Sequence, residues 1–151
     1  MNIVIFGENK SVHVQKWIKA ISSFSDVKLS VICFNDGVEF ENVNYFHLKR
    51  FTGTKLDYIL NVFISKKYLR KIKPDLIHAH YATSYGFLAS FSGFHPFVLT
   101  GWGADIFDSP KNPVMKFLLK RSFKNADAIT VLSEVTRTKK KKMTLKNVQL
   151  I

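Results

Sequence analysis

Two short apolar runs, separated by enough chain for one helix, constrain this sequence most. Residues 76–79 and 97–100 are dominated by β-branched and apolar side chains, and each run ends in a cluster of polar, glycine and aromatic residues. Between them, residues 84–94 are small and aromatic, long enough for a helix, and closed by Gly93. Strands that lack polar alternation are buried on both faces, which is the condition of strands in a parallel sheet. In an open parallel sheet, ligands bind in the crevice beyond the carboxyl ends of the strands. His80 and Tyr81 leave the first strand at that end, and Gly101 to Asp105 leave the second. Any chemistry is expected there.

The rest of the chain repeats the same alternation. Residues 2–6 form a buried strand ending at Gly7, and Ser11 is placed to cap a helix over residues 12–24. Val14, Trp17, Ile18 and Ile21 recur at helical spacing and form its core face. A strand, loop and helix start in that order can receive an anion on backbone N–H groups. With one glycine in the loop, neither a dinucleotide fingerprint nor a P-loop is present. His13, in the first turn, either faces the crevice or lies on the surface. Strands follow at 27–34 and 43–48, the latter nearer the sheet edge because polar residues interrupt it. A long helix is expected over residues 54–73, with Leu56, Ile59, Leu60, Phe63 and Ile64 as its buried stripe and Pro74 as its stop. A helix over 114–124, a strand over 126–132, a lysine-rich helix opened by Ser133 and Glu134, and a strand over 147–151 complete the pattern. The expectation is one α/β domain, a Rossmann-like doubly wound parallel sheet of six or seven strands in an α/β/α sandwich. Right-handed crossovers would bring residues 7–13, 80–84 and 101–108 to one rim.

Composition removes several alternatives. A chain of 151 residues with 46% hydrophobic and 14% aromatic content buries a core and is not disordered. Cys33, the single cysteine, lies in the apolar run 29–34 and reads as core filling; with no disulfide framework possible, a reducing compartment is favoured. No run approaches the ~20 apolar residues of a membrane span, so a soluble cytoplasmic protein is expected. The net charge of +12 is concentrated in three clusters, at residues 66–73, 111–124 and 137–146, none of which contains an acidic residue. Such a surface seeks phosphates of nucleic acid, anionic lipid or a phosphorylated substrate, or it serves solubility. On the helix over 114–124, Met115, Leu118, Leu119 and Phe123 fall on one arc, and Lys116, Lys120, Arg121 and Lys124 on the other. Phe117 sits inside the basic arc, as in helices that lie on a membrane surface.

The chemistry-bearing residues gather at the expected rim. His78 and His80 share one face of their strand, since side chains alternate with period two. One reading is a metal pair completed by Asp105. The preferred one makes His78 a satisfied core histidine and lets His80, at the strand tip, meet a ligand. Gly101 and Gly103 would let backbone approach that ligand, with Trp102 as a flat wall. Asp105 would accept hydrogen bonds from hydroxyls, cap the following turn, or both.

Four motifs in order carry a resemblance: Asn9-Lys10-Ser11-Val12-His13 with Trp17, then Pro74 to Tyr81, then Thr100 to Ile106, then Ala126 to Thr130 with Ser133 and Glu134. Together they resemble the N-terminal half of a family 4 glycosyltransferase, a retaining sugar-transfer enzyme built from two Rossmann-like halves in the GT-B arrangement. The resemblance implies an acceptor-side domain spanning residues 1–151, without the C-terminal half that grips the donor and inactive by itself. It places Gly7 and its neighbours, Ser11 among them, in the loop facing the donor phosphates, His80 beside the transferred sugar as the catalytic residue, and His13, Tyr81, Gly101, Trp102 and Asp105 along the substrate cleft. It implies no metal and no cofactor beyond a nucleotide-sugar co-substrate, and a glycolipid or polysaccharide acceptor at the inner face of a membrane. Lys116, Phe117, Lys120, Arg121 and Lys124 would meet that anionic surface. The competing class is a basic α/β module that binds nucleic acid or membrane without catalysis; few aromatics interleave its lysines, which argues against nucleic acid.

Overall fold

The computed structural model describes residues 1–34, 37–103, 112–131 and 148–150. Asp105, the lysine-rich segment opened by Ser133 and Glu134, and the third basic cluster lie outside the described residues. Seven parallel strands form a single sheet in the order β3-β2-β1-β4-β5-β6-β7. They are β1 (Asn2–Phe6), β2 (Lys28–Phe34), β3 (Val43–Leu48), β4 (Leu76–His80), β5 (Phe97–Gly101), β6 (Ala128–Val131) and β7 (Val148–Leu150). The doubly wound Rossmann-like sandwich is therefore present, with β3 at an edge as expected.

Side-chain alternation assigns the two faces. Along β1, Ile3 and Ile5 pack with Leu29, Val31 and Cys33 of β2 under helix α1 (Val12–Ser22), which buries Val14 and Ile18. Val4 and Phe6 point the opposite way. They join Ile77, Ala79, Leu99 and Ile129 beneath helices α3 (Val62–Ile72), α4 (Gly86–Ser90) and α5 (Pro113–Asn125). Between β3 and α3 lies a short helix, α2 (Leu56–Leu60). The chain thus leaves β1 to one side for β2 and β3, then returns on the other face to β4. That makes the β1–β4 pair, registered Ile3 to Leu76 through Phe6 to Ala79, the point where the strand order reverses. Tyr85 bridges this rim from the α3–α5 face, since its hydroxyl donates to Glu8 Oε2 and accepts from the backbone N–H of Phe34.

The helix expected over residues 54–73 differs from its reading in two ways. It is broken at Asn61 into α2 and α3, and its expected buried stripe faces outward. Phe63 is 80% exposed, and Leu56, Ile59 and Leu60 are each about half exposed; Ile64 alone of the five packs against the core. The inward face is Asp57, Asn61, Ser65 and Leu69, spaced four apart. Hydrogen bonds pin it. The Asp57 carboxylate accepts from the backbone N–H groups of Phe51, Thr52 and Gly53 and from the Thr52 hydroxyl, at 2.8–3.1 Å. Burial opposes the charge on Asp57, but those donors outweigh it and hold the carboxyl below its ordinary pKa. Asn61 accepts from Lys49 N–H and donates to the carbonyls of Lys49 and Asp57. A buried polar group left without partners costs more than an exposed apolar one, so the polar side turns in.

This orientation has a thermodynamic signature. Asn61→Ala strips partners from the Lys49 backbone and should lower stability by about 1–3 kcal/mol in urea denaturation. Phe63→Ser, two positions on, should stay within about 0.5 kcal/mol. A larger loss for Phe63→Ser than for Asn61→Ala would reverse the assignment of the two faces.

Candidate active site

The carboxyl ends of β1, β4 and β5 converge on one indole. Trp102, just past β5, lies 4.5 Å from the His13 ring on α1, 5.7 Å from His80 and 5.9 Å from Tyr81, centroid to centroid. The described parts of the three loops therefore meet at one rim. Gly103 beside it has φ +94°, a conformation that a side chain would strain. Gly7 ends β1 against α1: a Cβ there would lie 2.8 Å from Val14 Cγ1, so its absence lets the helix start close to the strand. Gly101 is the buried last residue of β5.

Both histidines of β4 point to the α1 face, 4.4 Å apart, and both touch Trp17. Their surroundings separate them. His78 Nε2 lies 2.7 Å from Thr100 Oγ1, which lies 2.7 Å from Thr130 Oγ1, a polar row crossing β4, β5 and β6. Burial lowers its pKa from 6.5 to about 4. His80 is fully buried, and neither ring nitrogen has a hydrogen-bond partner. Burial first, and the neighbouring His78 second, push its pKa well below the ordinary value, so its imidazole is neutral. His78 is the satisfied core histidine of the preferred reading. His80 carries two unspent polar atoms, but it is enclosed by Trp17, His78 and Trp102 and not presented at the surface. Asp105, third member of the metal reading, lies outside the described residues.

Three features here have no sequence signature. Tyr81 has φ +65°, rare for a residue with a side chain, and opens a π-helical turn, Tyr81–Tyr85, before α4. Such strain and such widened turns concentrate at functional sites. Asn9, in the loop after β1, is fully buried with both amide atoms unpartnered. Gly37 packs against its backbone so tightly that a Cβ would fall 2.3 Å from the Asn9 carbonyl carbon. The third is a Cys33–His47–Glu39 relay, with Sγ 3.9 Å from Nδ1 and Nε2 3.1 Å from the Glu39 carboxylate. It has the order of a nucleophile, a base and an orienting acid. Yet the thiol is wholly buried, as core filling requires, and no substrate reaches it.

Two other expectations change. Ser11 occupies the N-cap position of α1, but its hydroxyl makes no capping bond; its carbonyl receives Gln15 N–H instead. On α5 the two arcs are as expected, with Leu118, Leu119 and Phe123 buried and Phe117 59% exposed among lysines. Arg121, however, lies with its guanidinium 3.6 Å from the Phe91 ring centre and is not splayed into solvent. A groove of about 250 Å³ remains between Phe117, Lys120, Arg121 and Lys124. Another cavity, about 450 Å³, is lined by Lys66, Arg70, Lys73, Pro74 and Phe94, away from the crevice. No helix among the described residues is long and apolar enough to cross a membrane.

The model of the glycosyl transferase 4-like family matches residues 2–133. The chain belongs to that family. Among solved structures it resembles sucrose-phosphate synthase from Thermosynechococcus elongatus, with a TM-score of 0.76 at 13% identity over all of this chain. It also resembles the UDP-GlcNAc 2-epimerase of Methanocaldococcus jannaschii, with a TM-score of 0.67 at 11% identity over 99% of the chain. It spans 47% of the first of these proteins and 44% of the second. Likeness at such identities establishes the fold, that of a GT-B half. No curated protein matches the sequence.

The depressed pKa of His78 has a measurable consequence. The unfolded chain takes up this proton near pH 6.5 and the folded protein only near pH 4. Stability is therefore complete above about pH 6.5 and falls as pH drops toward 4, by on the order of 3 kcal/mol from this group. His78→Gln should flatten that slope while lowering stability at pH 7, read from melts across the pH range. An unchanged slope would mean that His78 is not buried neutral.

Proposed function

We propose that residues 1–151 are the acceptor-side half of an enzyme that moves a sugar from a nucleotide-sugar to a hydroxyl of a glycolipid or polysaccharide acceptor, with anomeric configuration retained. The observation that carries the reading is His80, a neutral imidazole with two unpartnered nitrogens at the switch point of a glycosyl transferase 4-like domain. In the transfer, the bond from the anomeric carbon to the donor diphosphate breaks and the bond to the acceptor oxygen forms. The acceptor's hydroxyl proton passes to the departing diphosphate, whose oxygen keeps the electron pair of the broken bond. Positive charge develops on the sugar, so a cationic imidazole beside it would be repelled. Burial and His78 keep His80 uncharged, free to accept from a sugar hydroxyl and to lie against the developing charge.

Access requires Trp102 to swing away from His80, so that the indole becomes the wall of the opened cleft. On this reading Gly7, Ser11, His13, Tyr81 and Gly101 would line the opened cleft, with Asp105 assigned to it by the resemblance alone, and the unpartnered amide of Asn9 is a further candidate. In this reading the donor would be gripped by a C-terminal half; the chain spans 47% of the sucrose-phosphate synthase and 44% of the epimerase named above. The nucleotide-sugar is a co-substrate, and no cofactor or metal is called for. The exposed Phe117 among Lys116, Lys120 and Lys124 supports a station at an anionic membrane, on the cytoplasmic side where nucleotide-sugars are made.

In the complete enzyme, His80→Ala and the volume-matched His80→Gln should each lower turnover by about 10²-fold or more, measured with radiolabelled uridine and guanosine diphosphate sugars. Full activity in both would remove His80 from the reaction. For the membrane station, reversing Lys116 and Lys120 to glutamate should weaken co-sedimentation with phosphatidylglycerol vesicles, and added salt should do the same to the parent. Binding that ignores both salt and charge reversal would return α5 to an ordinary solvated face.

A further inference from the structure

We infer that the outward face of α2 and the first turn of α3 is a membrane-insertion ridge, which sinks into an anionic bilayer beside the crevice; this rests on the membrane station proposed above and names the surface responsible. Leu56, Ile59, Leu60 and Phe63 follow one another at helical spacing, and Phe51 in the preceding loop is also exposed. Soluble proteins scatter single apolar residues over their surfaces; a contiguous ridge marks a partner. Its outward direction is built into the fold. Asp57 and Asn61, on the opposite side of the same turns, are held by seven hydrogen bonds to residues 49–53 and to each other's turn. The ridge cannot roll into the core without breaking them.

Charge identifies the occupant. From residue 49 to 73 the only carboxylate is Asp57, which is turned inward, while Lys55 precedes the ridge and Lys66 and Lys67 follow it by one turn. A second copy docked face to face would set these lysines against their equivalents. An anionic bilayer suits both parts at once, with hydrocarbon for the ridge and headgroup phosphates for the lysines. Continuity with α5 points the same way. Lys55 Nζ lies 3.7 Å from Met115 Sδ, so the starts of α2 and α5 are neighbours, and α5 itself carries exposed Val114 and Phe117. Both helices start at the carboxyl end of the sheet. A bilayer seated there would therefore flank the crevice, where a lipid-linked acceptor could enter without leaving the membrane.

The test uses vesicles of equal parts phosphatidylglycerol and phosphatidylcholine and needs no catalysis, so its failure leaves the sugar-transfer reading standing. Phe63→Trp should shift its emission to the blue on binding and be quenched by acyl chains brominated in the bilayer. The parent, whose tryptophans are Trp17 and Trp102, should not be. The double change Leu60→Ser with Phe63→Ser should lower the vesicle partition coefficient about tenfold or more, with the melting transition retained. Unquenched Phe63→Trp on bound vesicles, or an unchanged partition in the double variant, would overturn the ridge and leave contact to α5 alone. So would a dimer in sedimentation velocity that Phe63→Ser disperses, which would make a second copy the occupant.

Discussion

The hydrogen-bonded ladder between β1 and β4 is the constraint on which the rest depends. These two strands are consecutive in space and far apart in sequence, with α1, β2, β3, α2 and α3 inserted between them. Because parallel neighbours are joined by crossovers, placing β4 beside β1 sends α1 to one face and α3, α4 and α5 to the other. It also forces the loops leaving β1 and β4 to diverge, which opens a crevice at their carboxyl ends. Gly7 permits the close approach of α1 on one side of that opening. On the other, Tyr81 accepts a left-handed backbone to begin the turn into α4, whose Gly86 fits where a Cβ would meet Leu99 and the Tyr81 carbonyl.

The crevice inherits its electrostatics from this arrangement. His78 and His80 sit on the α1 face of β4, under Trp17, because side chains alternate along a strand whose other face is committed to Ile77 and Ala79. Burial drives both imidazoles to the neutral form, but only His78 finds a partner, in the threonine row of β5 and β6. One strand thus holds two histidines of different character, two residues apart. The first is a structural member of a hydrogen-bonded row. The second is a desolvated group whose hydrogen-bonding capacity is unspent, which is an uncommon and costly state unless something else uses it.

Much of this was legible in the residues. Unbroken apolar runs gave parallel strands, their spacing gave crossover helices, and the sheet rim followed, so His13, Tyr81, His80 and Trp102 were expected together and are together. The role of His78 as a satisfied core histidine was also readable, since it lies inside its strand. What could not be read was burial of His80 behind Trp102, the positive φ of Tyr81, and the idle amide of Asn9. Each depends on how loops from distant parts of the chain pack, and a period of two or of 3.6 carries no record of that.

The segment 54–73 marks the boundary between the two kinds of information. Its sequence by itself determined an amphipathic helix, because apolar residues recur at three and four. It did not determine which side faces in. That was decided when the loop from Lys49 to Gly53 turned its backbone donors and acceptors toward Asp57 and Asn61, whose satisfaction in the interior outweighs the exposure of Leu56, Ile59, Leu60 and Phe63. Sequence sets periodicity through local backbone geometry. Orientation is set by the polar groups of other segments, which exist as neighbours only once the chain has folded.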